Sequence, residues 1–400
     1  MSADTDASIS PSAQAETLKN EGNALYKRGI YSKAIEKYSQ AVDLAPANAI
    51  YLNNRAAAYV MQKEWSLAAQ DCAKAVALDP TFAKAMVRGA KCLLLMDQLQ
   101  EADSLLQRAF AISPTGLIQA DRNVIARVRE SLAAYRTAIA SDQNDAALKA
   151  MDAAIRAVTA ADSSVSSSDV PMKWRLYRGE ALARTGSVDE ASQIAIEGLR
   201  SDSTSPEALA LRGRVFYLQG ESGKAQAHLQ QALAYDPDMK AARVLFRLVK
   251  QVDSVKEAGN AAFKRGDLDE AVAKYTDALA LDPTAKNLHS KLYSNRAMVL
   301  AKQGKLREAI ADCDAALEID PQFYKVLLRR ADCYSKTEQW EAAARDYKTA
   351  MDIEPTAELR QAAQNADRQA RLASRKDHYK TLGVERNASE DEIRRAYRYD

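Results

Sequence analysis

Residues 18–46 read LKNEGNALYKRGIYSKAIEKYSQAVDLAP. Within this stretch Gly22, Gly29, Ala34, Tyr38, Ala41 and Pro46 stand at spacings that recur down the chain. Pro46 is followed by Pro80 and Pro114 at steps of 34 residues, and Pro237, Pro283, Pro321 and Pro355 close later segments in the same way. Proline ends a helix, glycine permits a tight turn between helices, and alanine lets neighbouring helices approach. This period predicts one helix pair per unit, each stacked on the next.

Seven clear units begin near Ala15, Ala49, Ala83, Pro206, Val252, Ser290 and Tyr324. Two weaker ones lie around Ala147, Met151 and Ala154, and from Met172 through Gly179, Gly186 and Ala191. The expected fold is therefore all-α, a solenoid of about nine helix pairs. Two segments interrupt the pattern. Residues 162–170 hold five serines in nine positions and read as a flexible loop, whereas residues 240–251 carry Val244, Leu245 and Leu248 at helical spacing and read as a helix leading into the next block.

Composition narrows the function classes. The 400-residue chain is 47% apolar and 28% charged, which supports a buried core and excludes a disordered or fibrous chain. Its net charge of +2, with both signs interspersed, makes nucleic acid an unexpected partner. Cys72, Cys92, Cys313 and Cys333 never fall at C-x-x-C spacing, and the histidines are His228, His289 and His378, so neither a metal site nor a disulfide framework is expected. The two cysteine pairs recur 241 residues apart and read as small buried packing residues, while Trp65 and Trp340, near helix-helix turns, read as core anchors. No apolar run approaches the roughly 18 residues of a membrane span, and the N-terminus lacks the look of a secretory signal, so no membrane partner is expected. The cytosol is the expected compartment, with the nucleus as a further one. No phosphate-binding glycine loop or nucleophile elbow occurs, and neither an enzyme activity nor a cofactor is expected.

The sharpest signal is a duplication. Asn54, Lys84 and Arg88 have counterparts Asn295, Lys325 and Arg329, each displaced by 241 residues. Lys19 and Asn23 match Lys256 and Asn260 at a displacement of 237, the difference being an insertion near residues 286–289. Lys19 and Asn23 are four apart on a first helix and project from one face, as do Lys84 and Arg88 two units later, with Asn54 between them. Three cations and two amides offer donors and positive charge. Their complement is a compact group of anionic oxygens, such as a chain-terminal aspartate with both its carboxylates. Arg175, Arg212 and Arg214 in the middle units lack this Lys/Asn spacing and read as spacer or client-facing surface.

These residues and the 34-residue period resemble the tetratricopeptide repeat, and the five-residue sets resemble the dicarboxylate clamp of chaperone-binding tetratricopeptide domains. The resemblance implies that Lys19, Asn23, Asn54 and Lys84 grip the terminal carboxylates of a Glu-Glu-Val-Asp tail of heat-shock protein 70 or heat-shock protein 90, with Arg88 reaching upstream. It implies that Lys256, Asn260, Asn295, Lys325 and Arg329 repeat those roles.

The last residues, DHYKTLGVERNASEDEIRRAYRYD (377–400), resemble the opening of a J domain through Tyr379, Leu382, Gly383, Val384 and Ala388. Ser389 and Glu392 form a capping-box spacing, Ile393, Ala396 and Tyr397 an apolar stripe, and Arg394, Arg395 and Arg398 the basic face. In that family a His-Pro-Asp loop follows the second helix, so the resemblance implies either that such a loop follows Asp400 in a longer natural chain, with 377–400 a truncated start, which is the favoured reading, or that 377–400 is a remnant. The expected organisation is a disordered N-terminus (1–14), a first clamp block (15–116), degenerate middle repeats and a linker helix (117–251), a second clamp block (252–357), a connecting helix (358–376) and the start of a J domain (377–400). By resemblance the whole is similar to a cytosolic tetratricopeptide-repeat J protein, a co-chaperone that binds both chaperone tails, assists client proteins and, with a complete J domain, stimulates the heat-shock protein 70 ATPase. Alternatives are a J protein of the endoplasmic reticulum lumen that binds unfolded clients, and a general tetratricopeptide scaffold.

Overall fold

The computed structural model describes residues 10–283, 285–374, 382–385 and 387–399. Among the described residues the secondary structure is helical throughout. The helices run α1 (Pro11–Lys27), α2 (Tyr31–Leu44), α3 (Ala49–Met61), α4 (Trp65–Leu78), α5 (Ala83–Leu95), α6 (Leu99–Ile112), α7 (Gly116–Ala140), α8 (Asn144–Thr159), α9 (Met172–Thr185) and α10 (Val188–Ser201). They continue as α11 (Pro206–Leu218), α12 (Ser222–Tyr235), α13 (Lys240–Arg265), α14 (Leu268–Leu281), α15 (Lys286–Lys302), α16 (Leu306–Ile319), α17 (Tyr324–Lys336), α18 (Trp340–Ile353), α19 (Ala357–Ser374) and α20 (Glu390–Tyr399). The first eighteen form nine consecutive pairs, the number the repeat period predicts.

One pair shows how sequence makes the unit. Ser10 caps α1 by accepting from the Ala13 amide at 3.3 Å, and Pro11 stands at the first helical position, where its missing N–H costs nothing. Gly29 turns the chain at φ +75°. Gly22 then lets α1 sit against Tyr38 of α2 so closely that a Cβ there would lie 2.6 Å from the ring. Ala15, Ala34 and Ala41 complete the contact, all fully buried.

The chain divides into two compact units, Met1–Leu211 and Arg212–Asp400, with the division inside α11. The core of the first unit runs from Leu52 to Ala181 and includes Met86, Ile125, Met151 and Trp174. That of the second gathers Ala297, Val326, Leu327, Ala331, Tyr347 and Leu359.

Several expectations need revision. α1 begins at Pro11, so residues 11–14 of the segment read as disordered are helical, while residues 1–9 lie outside the described ones. The helix expected over 240–251 continues across the block boundary at 251/252 as α13, unbroken for 26 residues, because nothing between Lys240 and Ala258 breaks a helix and Leu245, Val249 and Val252 keep one buried face. Residues 162–170 do form a loop, yet it is packed: Val165 and Val170 are buried, and Asp169 receives Lys63 Nζ at 2.6 and 2.8 Å. Trp65 and Trp340 are half-buried, and the fully enclosed tryptophan is Trp174, at 0% exposure. The insertion near 286–289 becomes one extra turn at the start of α15, which has 17 residues against 13 in α3. Tyr379 and the rest of 375–381 lie outside the described residues.

Four turns adopt a left-handed conformation without glycine: Lys63 (φ 64°), Asp97 (φ 61°), Asp142 (φ 56°) and Glu338 (φ 59°). Such a conformation costs on the order of 1 kcal/mol for a residue with a Cβ. In three cases the side chain does something glycine could not. Lys63 holds Asp169, Asp97 accepts from Trp174 Nε1 at 2.6 Å, and Asp142 pairs with Arg184 at 3.3 Å.

Candidate functional site

In the first unit the five residues expected to form a clamp sit on α1, α3 and α5, the first helices of three successive pairs, with α1 packed on α3 and α3 on α5. Asn23 Oδ1 receives the Tyr38 hydroxyl at 2.7 Å, and Asn54 Nδ2 lies 3.5 Å from the same oxygen. This fixes the amide so that its NH2 group faces outward as a donor. Arg88 donates to the Asn53 carbonyl at 2.9 Å and also to the Asn53 side chain. Lys19, Asn23, Asn54 and Arg88 are half-buried, and Lys84 is exposed.

The second unit repeats the arrangement on α13, α15 and α17. Asn260 Oδ1 receives the Tyr275 hydroxyl. Arg329 donates to the Ser294 carbonyl at 2.7 Å and to the Ser294 hydroxyl at 2.8 Å. Burial pulls the Arg329 pKa down from its ordinary value, the expected cost of holding a cation away from water. Lys256, Asn260, Asn295 and Arg329 are again half-buried and Lys325 exposed.

Sequence reasoning overlooked three sets of supporting residues. Lys19 is paired with Glu16, and Lys256 with Asp253 at 2.8 Å, so each first clamp lysine has a carboxylate three residues before it. The Lys19 ammonium and the Tyr51 hydroxyl hold Glu16 below the usual carboxylate range. At Asp253 burial pushes upward, but hydrogen bonds from Lys256, Ser222 and Gln226 outweigh it, leaving that group low as well. A bound anion must compete with these internal partners. The second set is a ladder of bidentate ion pairs sixteen residues apart: Arg55–Asp71 (2.7 and 2.8 Å), Arg296–Asp312 (2.8 and 2.7 Å) and Arg330–Asp346 (2.7 and 2.8 Å). In all three the carboxylate's hydrogen bonds push the arginine pKa up. The 241-residue displacement of Arg55 and Asp71 onto Arg296 and Asp312 was the available signal. The third set is Tyr38, Tyr275, Asn53 and Ser294, which orient the clamp groups.

The middle arginines differ. Arg175 pairs with Glu197, and Arg212 stacks 4.3 Å over the Phe216 ring. All four cysteines are free and buried. Among the described residues no group of His, Cys, Asp and Glu side chains is placed to hold a metal ion, and no helix is long and apolar enough to cross a membrane. In α20, Ser389 donates from its amide and hydroxyl to Glu392 at 2.8 Å each, the reach-back half of the capping box. Arg394 pairs with Glu390 at 2.9 Å, Arg395 and Arg398 are exposed, and Tyr397, expected on an apolar stripe, is 76% exposed.

Residues 22–63 and 259–292 match the family described as TPR repeat, and residues 290–323, 132–206 and 206–231 match families described as tetratricopeptide repeat. The match over 132–206 runs through the serine-rich loop. The chain is 36% identical over 385 residues to DnaJ homolog subfamily C member 7 of Homo sapiens, covering 96% of this chain and 76% of that protein. It is 34% identical over 402 residues to the DnaJ homolog subfamily C member 7 homolog of Schizosaccharomyces pombe, covering 100% of this chain and 76% of the relative. Among solved structures it is similar to the P58(IPK) TPR domain, with a TM-score of 0.57 at 20% identity over 90% of this chain and 99% of that one. At that identity the likeness concerns the fold.

Proposed function

The chain belongs to the tetratricopeptide-repeat J-protein family of DnaJ homolog subfamily C member 7, and on that footing we propose that it is a co-chaperone that holds the C-terminal tails of heat-shock protein 70 and heat-shock protein 90 in two carboxylate clamps. Lys19, Asn23, Asn54, Lys84 and Arg88 form the first, and Lys256, Asn260, Asn295, Lys325 and Arg329 the second. Its setting is the cytoplasm, and client proteins pass between the tethered chaperones.

The observation that carries this reading is the repetition of the whole arrangement. Two constellations separated by the segment 117–251 keep the same five residues, the same exposures and the same tyrosine-to-asparagine support. They anchor their arginines through different residues, Asn53 in one and Ser294 in the other. A merely solvated face has no reason to preserve the outward set while its support changes. Residues 377–400 add a second role: Arg394, Arg395 and Arg398 would meet heat-shock protein 70 in a form of the protein that also carries a His-Pro-Asp loop and stimulates the ATPase.

The test is titration of a peptide ending in Glu-Glu-Val-Asp, as free acid and as C-terminal amide. The free acid is expected to bind near micromolar, about −8 kcal/mol, to weaken as salt screens the charges, and to outcompete the amide by at least tenfold. Lys84→Ala with Arg88→Ala abolishes the first site alone, and Lys325→Ala with Arg329→Ala the second alone. Equal binding of acid and amide would refute the clamp.

A further inference from the structure

After every third helix pair comes a longer helix: α7 after α6, α13 after α12 and α19 after α18. All three bury side chains in one register, Ile118 and Ile125 on α7, Ala242 and Val249 on α13, Leu359 and Ala366 on α19. Their outer faces differ. On α13 that face carries Lys240, Arg243, Arg247 and Lys250, all exposed, at intervals of three, four and three residues. Such spacing keeps them within one narrow strip about 15 Å long. The same four positions hold Gly116, Gln119, Asn123 and Ala126 on α7, and Ala357, Arg360, Gln364 and Asp367 on α19. The architecture therefore does not require the cations.

Nor does the helix offset them. Like charges three and four residues apart repel on a helix surface. The helix dipole also disfavours cations in the first turn, where Lys240 and Arg243 stand with no acidic residue among them. Among the described residues none of the four forms an ion pair. Arg243 donates to the Pro237 carbonyl, and the first carboxylate along the helix, Asp253, is taken up by Lys256 at 2.8 Å. Arg55, Arg296 and Arg330, by contrast, each meet an aspartate on the next helix. In a chain of net charge +2 the strip concentrates positive charge where the helix would be more stable without it.

We propose that this face of α13 docks an acidic segment of a partner protein, at a site separate from both proposed clamps. The occupant follows from the dimensions and chemistry of the strip. It is one side chain wide, and its length matches about five residues of extended chain at ~3.3 Å each. Carboxylates along such a segment can meet all four cations, each exposed pair adding a modest increment. A membrane surface calls for an apolar wedge beside the charges, and Val244, 66% exposed, is alone in that role on α13 among the described residues. Single-stranded nucleic acid calls for aromatic platforms, and Phe246, the aromatic residue within the strip's span, is half-buried. Lys256 and Asn260 lie farther along the helix, so the strip does not depend on the clamp reading.

The experiment uses the full chain and a fluorescent dodecapeptide of Glu-Glu-Ala repeats, acetylated and amidated at its ends so that it offers no terminal carboxylate to a clamp. It should bind in low salt and weaken by about fivefold or more between about 50 and 300 mM salt. Lys240→Gln, Arg243→Gln, Arg247→Gln and Lys250→Gln together should weaken binding by about tenfold or more, with thermal unfolding level or raised. A charge-matched control, Lys27→Gln, Arg28→Gln, Lys33→Gln and Lys264→Gln, changes exposed cations elsewhere and should bind within about twofold of the parent. Arg243→Gln with Arg247→Gln alone should lose about threefold, which decides the matter even where the fourfold variant folds poorly. Absence of binding, or equal losses in the strip and control variants, overturns the proposal. Tighter, strip-dependent binding of an oligothymidine of like length, or of vesicles containing phosphatidylserine, overturns it too.

Discussion

The ion-pair ladder and the cysteines show what single residues contribute beneath the binding face. Asp71 is 3% exposed and its carboxylate is satisfied by Arg55, which also donates to Ser39 at 3.0 Å. Removing the cation alone leaves a buried charge uncompensated, so Arg55→Met should cost about 3 kcal/mol in urea unfolding, and adding Asp71→Leu should recover much of it. A double variant no more stable than the single one would show that the pair adds more than charge balance. The thiols respond to pH. Burial pushes Cys72, Cys92 and Cys313 up to about 12 from an ordinary value of 9.0. The folded state therefore keeps these protons after the unfolded chain has released them. Stability is complete below about pH 9 and falls as pH rises toward 12, by up to about 1.4 kcal/mol per pH unit for each thiol. Cys72→Ala with Cys313→Ala should flatten the alkaline limb of a stability–pH curve measured by thermal unfolding. At this scale the outward clamp residues were legible because they repeat in register, whereas Tyr38, Asn53 and Asp71 were not singled out, since a tyrosine or aspartate on a helix shows its partner only once the next helix is in place.

Among the elements, α13 departs most from the pattern. It packs on α12 and α14, and its second half carries Lys256 and Asn260, so the helix of the proposed clamp and its leader are one rod. A proline at the exposed Gln251 would remove a backbone donor and clash with the preceding turn. Gln251→Pro should cost about 3 kcal/mol and weaken the second clamp by at least threefold, with the first unchanged in the same titration. Undiminished binding would mean that the second block presents its residues without the leader. The helical character of 240–251 was legible from its apolar spacing, but continuity across residue 252 was hidden by the start of a new repeat at that point. The serine-rich loop was misjudged for a different reason. Five serines signal solvent, while the two valines and the aspartate that fasten it mean nothing until Lys63 and the first-unit core are there to meet them.

For the molecule as a whole, the 34-residue period was enough to count nine helix pairs, though not to locate the division within α11, where the repeat runs on undisturbed. Each unit carries one complete set of the five residues proposed to form a clamp, so the protein should take up two tail peptides, and calorimetric titration should give a stoichiometry of two for the intact chain and one after either set is silenced. Two tails on one chain raise each chaperone's effective concentration near the other. A stoichiometry of one for the intact chain would instead indicate a single exchange site. The turns at Lys63, Asp97 and Asp142 bear on how the first unit comes apart. An array whose members touch only their neighbours can fray from an end, one link after another. Here two of these turns fasten to segments beyond the next pair, 106 residues ahead for Lys63 and 77 for Asp97, while Asp142 fastens to the next pair, 42 residues ahead. Pulled from its far end, such a structure meets stitches that tie late turns of the chain to early ones. It should yield under mechanical load in one step, as a knotted cord does, where a simple chain of links would give way gradually.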